Sequence, residues 1–349
     1  MSPVGKDVKH MTNGLIHIIV LYGGRCTEDE DAYVTNTFVN TLEELSKQKF
    51  SGYQLKVTPW NKSVVSVPRE DAKHTFVIIH RDYLGVRGAY DWDKAKQDLG
   101  CMPTIPPVED CTRIFSKKPY MKLLCHAKIP IMPTLFISLH SSGARGKKFW
   151  VEDLDCKSGH EIDSEGLKAL VKSELDFDTG NDKRLVLKLP FRSYGASMQY
   201  VNKDDDLTSK LAKQLQSPTA PFVLCQAFKL FDELRVFIAG GEVNRAILTL
   251  HAENEKRLTT KVDGIYEVIA VAELPEKVLA LALSTVQTLV VAGICLPQTR
   301  VDIGCVDAKY SFFNGDLKVH NLGQTFFVNE VMSCTQHAPL PFDNWLHCR

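Results

Sequence analysis

The most constraining stretch lies near the start. Leu15-Ile16-His17-Ile18-Ile19-Val20-Leu21-Tyr22 is almost wholly apolar and stops at Gly23-Gly24. A short run without polar alternation is the pattern of a strand covered on both faces, as in a parallel sheet. Residues 25–31 are rich in acid, and over 32–45 Val34, Phe38, Val39, Leu42 and Leu45 recur at helical spacing. Strand, glycine turn and helix make the first unit of a parallel α/β layer. Acids at the head of the helix suit its dipole. The run is far short of the roughly 20 apolar residues that span a bilayer. A polar leader precedes it and no small-residue cleavage site closes it, so it reads as a buried strand and not as a signal peptide.

A chain of 349 residues exceeds the size at which single cores stop growing, so two or three subdomains are expected. Hydrophobic residues at 44% and charged residues at 24% support large cores and exclude wholesale disorder. Lys plus Arg number 42 and Asp plus Glu number 42. That balance argues against a bulk electrostatic grip on nucleic acid or an anionic membrane. The 10 Cys are scattered and no two form a CxxC, so zinc clusters and dithiol redox chemistry find no support. Several sit in apolar runs, where Cys acts as a small hydrophobe. A reducing, cytoplasmic setting is expected, with an organelle left open.

Further strands are expected over 54–58, 76–80, 185–189, 223–228, 300–306 and 324–332, and helices over 115–127, 167–175 and 276–292. Pro103, Pro106 and Pro107 mark a domain boundary. Residues 129–137 are Pro-broken and extended, and 141–148 read as a flexible basic loop. Gly240-Gly241 join two alternating runs as a hairpin.

Four groups of residues carry possible chemistry. Lys188 ends an apolar strand before a loop holding Ser193, Tyr194, Gly195 and Ser197. A buried ammonium needs an anion; a phosphate held by loop N–H groups would supply one, and a strand-end lysine reaching solvent would not need it. No GxxxxGK[ST] pattern exists, so this is no P-loop. Gln226 and Glu233 could serve a nucleotide's base and ribose. Equally, Glu233 and Arg235 could pair on the hairpin, worth about 0–1 kcal/mol if exposed. Arg300 and Asp302 share one face of a late strand, and Asn329-Glu330 lie on the next. Asp302 and Glu330 could bridge Mg²⁺ against phosphates, with Arg300 stabilising charge in an acyl or phosphoryl transition state. Carboxylates on strands flanked by Ile303, Phe326, Phe327 and Val328 need a reason, and function is the favoured one. Finally, Gly23-Gly24, Glu28 and His80 fall at the carboxyl edge of the parallel layer, where open α/β sheets bind ligands; each singly also reads as structural.

In this order, the features resemble the ATP-grasp superfamily, and within it the D-alanine–D-alanine ligase group. HIIVLYGGRCTEDED resembles the opening strand, double glycine and acid, and FVIIHRDYLG a strand ending in His. FSKKPYMKLLCHAKIPIMPT is similar to the segment with the first ATP lysine, at Lys118. LVLKLPFRSYGASMQYV is similar to the second, at Lys188, with its mobile loop. VLCQAFKLFDELRVFIAGGEV resembles the hinge and ribose acid, at Gln226 and Glu233. TRVDIGC and FFVNEVM resemble the catalytic arginine and metal carboxylates, at Arg300, Asp302 and Glu330.

The resemblance implies a three-lobed α/β fold: a Rossmann-like lobe over 1–112, a central lobe over 113–225 and a C-terminal lobe over 226–349. It implies ATP and Mg²⁺ as cofactors and carboxylate–amine ligation through an acyl phosphate. Lys118 and Lys188 would hold phosphates under loop 192–198, Gln226 would meet adenine and Glu233 the ribose. Asp302 and Glu330 would hold Mg²⁺, Arg300 would stabilise the tetrahedral intermediate, and Glu28 and His80 would orient the amino acid. Partners would be ATP and small carboxylates and amines, with a homodimer common in the group. The departures lie mostly on the acceptor side. Met332 stands in place of the Asn of the family's Glu-x-Asn, SCTQH replaces a Gly/Pro-containing substrate loop, and Arg81 and VRG follow His80. They point to substrates other than D-alanine, or to a non-catalytic descendant serving a larger assembly.

Overall fold

The computed structural model describes residues 15–22, 40, 44, 47, 54–61, 75–79, 103–105, 107–143, 146–155, 159–175, 185–190, 198–202, 205–216, 221–227, 232–250, 265–294, 296–306, 309–313, 316–321 and 325–333. The chain divides into two compact units, one from Glu109 to Cys334 and one comprising the rest.

The smaller unit holds a parallel sheet of β1 (Leu15–Tyr22), β2 (Gln54–Asn61), β3 (Thr75–Ile79) and β4 (Thr104–Ile105), in the order β2-β1-β3-β4. Ile19 and Val77 are fully buried, as expected for strands covered on both faces. β2 carries Pro59 and lies at an edge, where a missing N–H costs least.

In the larger unit, β5 (Thr134–Gly143), β6 (Gly146–Glu152), β7 (His160–Asp163), β8 (Leu185–Lys188), β9 (Gln199–Val201) and β10 (Val223–Ala227) form one antiparallel sheet, ordered β7-β6-β5-β10-β8-β9. The loop expected over 141–148 is instead part of a hairpin, with Ser141 opposite Lys148 and Gly143 opposite Gly146. Its Ser, Gly and Lys content suits the turn end of a hairpin as well as it suits a loop. Two helices, α3 (Ser164–Leu175) and α4 (Leu207–Leu215), close the core under this sheet through Leu167, Val171 and Leu211. α4 begins at Asp206, whose carboxylate accepts from the Thr208 backbone N–H at 3.1 Å and the Ser209 hydroxyl at 2.6 Å.

The second antiparallel sheet runs β13-β12-β11-β14-β17. Its strands are β11 (Asp232–Ala239), β12 (Glu242–Leu250), β13 (Ile265–Ile269), β14 (Gln298–Val306) and β17 (Thr325–Ser333), with the hairpin β15 (Lys309–Phe313) and β16 (Asp316–Asn321) between the last two. Gly240 and Gly241 turn the β11–β12 hairpin with φ of 61° and 85°, the paired positive values that two-residue hairpins demand. One face packs Leu234, Val236, Val301 and Ile303 against α5 (Glu276–Val291) and its Val278, Ala282 and Leu289.

Before the first of these sheets come α1 (Val108–Phe115) and α2 (Lys118–His126). α2 joins the core of the second sheet through Tyr120, Met121 and Leu124. Arg113 of α1 donates to the carbonyls of Ala292 at 3.1 Å and Gly293 at 3.3 Å, which meets the negative end of α5 with a cation. Cys225 and Cys305 are buried, and burial pushes both thiols up to about 12, the state of inert core cysteines. No helix among the described residues is long and apolar enough to cross a membrane.

The α4 cap gives a first test. Hydrogen bonds from Ser209 and Thr208 hold the Asp206 carboxyl down at about 2. Asp206→Ala is expected to lower stability by about 1 kcal/mol, read as a shift in urea midpoint. Because the folded value is depressed, this contribution is complete above an unfolded pKa of about 4 and disappears as pH falls towards 2. The difference between wild type and variant therefore shrinks in acid.

Candidate functional site

The other face of the second sheet is charged. Alternation places Glu233, Arg235 and Phe237 on that face of β11, and Arg300, Asp302 and Gly304 opposite them on β14. Across the next ladder Arg300 faces Met332 and Asp302 faces Glu330. The register then slips, with Ile303 opposite Val328, so Asn329 is an extra residue in β17. Such a bulge re-aims a side chain without losing the ladder. Here it lets Asn329 reach Glu233 while Glu330 stays opposite Asp302. Gly304 completes the face: a Cβ there would lie 2.3 Å from the Phe327 ring.

Glu233, Arg235, Arg300 and Asp302 are all buried, so each charge needs a partner. Arg300 and Asp302 form a two-pronged pair, Nε to Oδ1 at 2.6 Å and Nη2 to Oδ2 at 2.7 Å, and Nη2 also points at the Met332 sulfur. Glu233 accepts from Arg235 Nε at 2.9 Å and from Asn329 Nδ2 at 2.8 Å. Burial holds the Asp302 carboxyl up at about 6 against the pull of Arg300, with Glu233 adding to the rise.

Glu330 pairs with Lys117, Nζ to Oε1 at 2.6 Å. Burial works to raise its carboxyl, but Lys117, Lys188 and Arg300 outweigh it and leave Glu330 below the ordinary range. Lys117 sits just ahead of α2 in a γ-turn, with φ of 61° and ψ of −47°, closed by the Lys118 N–H donating to the Ser116 carbonyl at 2.7 Å. That conformation is rare and strained for a non-glycine residue. The strand bearing Glu330 is fixed from the same side. The Val331 N–H donates to the Tyr120 hydroxyl at 3.2 Å, and the Val328 N–H to the Pro130 carbonyl at 2.8 Å.

The first sheet contributes Lys188 at the end of β8. Burial and the Lys117 charge push its ammonium down to about 8, with Glu330 and Glu233 opposing, so Lys188 belongs electrostatically to the same cluster. Gln226 of β10 donates to the Thr134 hydroxyl at 2.7 Å, and its buried Oε1 has no hydrogen-bond partner among the described residues. Lys118 is engaged elsewhere. With Lys122 it grips Glu152, at 2.5 Å and 2.7 Å, and its ammonium lies 5.4 Å from the Phe222 ring centroid.

Lys188, Glu233, Arg300, Asp302 and Glu330 thus come together. Gln226 lies on the same sheet as Lys188, and Lys118 is tied to Glu152. Glu28, His80, Ser193, Tyr194 and Gly195 lie outside the described residues. Sequence reasoning missed Lys117, Glu152 and Tyr120. One signal for Lys117 was available: Pro119 fixes a helix start, and a lysine then occupies the N-cap, where Ser, Thr, Asp or Asn belongs.

The donor set does not fit Mg²⁺. Both Asp302 oxygens bind Arg300, Glu330 binds an ammonium, and the third position offers a thioether, a poor ligand for a hard cation. Among the described residues no three His, Cys, Asp or Glu side chains are grouped to hold a metal.

No protein-family model matches the chain, and no curated protein matches it in sequence. Solved structures do match. D-cycloserine synthetase is similar at a TM-score of 0.60 and 14% identity, over 91% of this chain and 91% of that one. D-alanine–D-alanine ligase from Bacillus anthracis, complexed with ATP, matches at 0.51 and 18%, over 91% and 86%. An ATP-grasp ligase complexed with a phosphomimetic variant of its minimal precursor, Mg and ADP matches at 0.50 and 15%, over 94% and 92%. The chain has the ATP-grasp fold. Identities this low establish the fold and leave the chemistry to the site.

The buried fork within this ATP-grasp fold makes a sharp test. Arg300→Ala leaves Asp302 buried and uncompensated and is expected to cost about 3–5 kcal/mol. Adding Asp302→Leu should recover much of that loss in chemical denaturation. A single variant as stable as wild type would show that the pair is not closed in solution.

Proposed function

We propose that this chain binds ATP on the charged face of the second sheet and spends it on joining a carboxylate to an amine. The observation that carries the reading is the convergence of Lys188 from one sheet with Arg300, Glu233 and Glu330 from the other. Two further features support it. Gln226 Oε1 is a buried acceptor with no donor among the described residues, suited to an adenine amino group, and one structural neighbour of the same fold carries ATP.

In this reading Lys188 holds the phosphates under the loop with Ser193, Tyr194 and Gly195, and Lys118 does so after exchanging Glu152 for phosphate. Glu233 receives the ribose hydroxyls, exchanging a contact with Arg235 or Asn329 to do so. A substrate carboxylate oxygen attacks the γ-phosphorus, ADP leaves, and an acyl phosphate forms. An amine then attacks the acyl carbon, phosphate leaves, and the amine proton passes to a base or water. Arg300 stabilises the tetrahedral oxyanion, while Glu28 and His80 orient the amino acid. Mg²⁺ is where the chain departs from the family pattern. Asp302 and Glu330 are matched by protein cations as they stand, so the charge stabilisation described here comes from Lys and Arg alone. The residues after Met332 and after His80 differ from the D-alanine ligase pattern, so the substrates are a different carboxylate and amine.

A second reading, nucleotide binding without turnover in an assembly role, is favoured by Met332 in the position of the metal-site Asn. Calorimetry separates the steps. ATP should bind wild type, and Lys188→Ala should weaken it roughly 10- to 100-fold, as for loss of a charged hydrogen bond. Phosphate release with a panel of carboxylates and amines then indicates ligation. Binding without release across the panel favours the second reading, and absence of binding in any buffer sinks both.

A further inference from the structure

Lys117 combines three features that local structure does not call for. It occupies the N-cap of α2 without capping it, and it places a cation at the positive end of a helix dipole. It adopts a strained γ-turn to do so. Strain of this kind persists where surrounding structure enforces it, and it clusters at functional sites. What the turn achieves is plain: it carries the ammonium of a side chain only 12% exposed to 2.6 Å from Glu330 Oε1.

The surroundings define what that ammonium replaces. Glu330 lies directly opposite Asp302, the carboxylate pair expected to flank a divalent ion. Asp302 is closed by the Arg300 fork, and Met332 supplies sulfur where an oxygen would complete a metal shell. Among the described residues, four cations, Lys117, Lys188, Arg235 and Arg300, face three carboxylates, Glu233, Asp302 and Glu330. A cluster already carrying a surplus positive charge repels a further dication and attracts an anion. Resting on the nucleotide reading above, we infer that Lys117 is a built-in replacement for the divalent cation at Glu330, so that this site binds a nucleoside triphosphate without Mg²⁺. Lys117 neutralises Glu330 and so leaves the Lys188 charge uncompensated by that carboxylate and available to the phosphates, the office a bound metal otherwise fills.

The experiment is ATP titration by calorimetry in EDTA and in excess Mg²⁺, on wild type, Lys117→Gln and Lys117→Arg, each checked for folding by circular dichroism. Wild type should bind with the same affinity in both buffers, within about twofold. Lys117→Gln should bind roughly 10- to 100-fold more weakly in EDTA, because Glu330 is then an unscreened anion beside the phosphates, and Mg²⁺ should restore part of the loss. Lys117→Arg should behave as wild type. Wild-type binding that requires Mg²⁺ overturns the inference and leaves the nucleotide reading standing. Absence of binding in both buffers overturns both. Lys117→Gln equal to wild type in EDTA overturns the role of Lys117. If the Gln variant does not fold, Lys117→Met, which keeps the alkyl stem, takes its place, and the wild-type comparison remains decisive.

Discussion

The Arg300–Asp302 fork is the interaction on which the charged face depends. A sheet buried on both sides normally puts apolar residues on both, and here one side holds Glu233, Arg235, Arg300 and Asp302 instead. Withdrawing such groups from water is tolerable only where every charge meets an opposite one with good geometry. The fork manages this within a single strand, because residues two apart on β14 project side by side. With Asp302 closed, the charges on either side pair independently: Glu233 with Arg235 and Asn329, and Glu330 with Lys117.

What the sequence made legible was what depends on neighbours along the chain. Alternation in 300–306 and 324–332 put Arg300, Asp302 and Glu330 on facing strands, and Gly240-Gly241 announced their hairpin through the positive φ it requires. The basic, Gly-containing 141–148 read as a loop because the turn end of a hairpin carries the same residue types. The bulge at Asn329 had no local mark, since register is settled between strands. Nor did the grip of Glu152 on Lys118 and Lys122, which joins β6 to a helix 30 and 34 residues earlier. The two adjacent lysines illustrate the limit well. The family pattern selects Lys118 for the phosphates, whereas the fold sends Lys118 to Glu152 and brings Lys117 to Glu330.

The distribution of departures also has a physical sense. The residues that carry the nucleotide-side resemblance, Lys188, Gln226 and Glu233, lie on strand interiors or strand ends, where packing fixes their direction. Of the segments that diverge from the ligase pattern, Ser333 ends a strand, and Arg81, 86–88 and 334–337 lie outside the described residues.

The covering of β17 reaches beyond the site. An edge strand with open N–H groups is a template onto which another chain can add. Here the Val331 N–H is taken by the Tyr120 hydroxyl and the Val328 N–H by the Pro130 carbonyl. Both come from the segment that also presents Lys117 to Glu330. Solubility and site geometry therefore share one latch. A lesion that loosens α2 releases the Lys117 ammonium from Glu330 and, in the same motion, uncovers a sticky sheet margin, so a disturbed charged face and a tendency to self-associate arrive together.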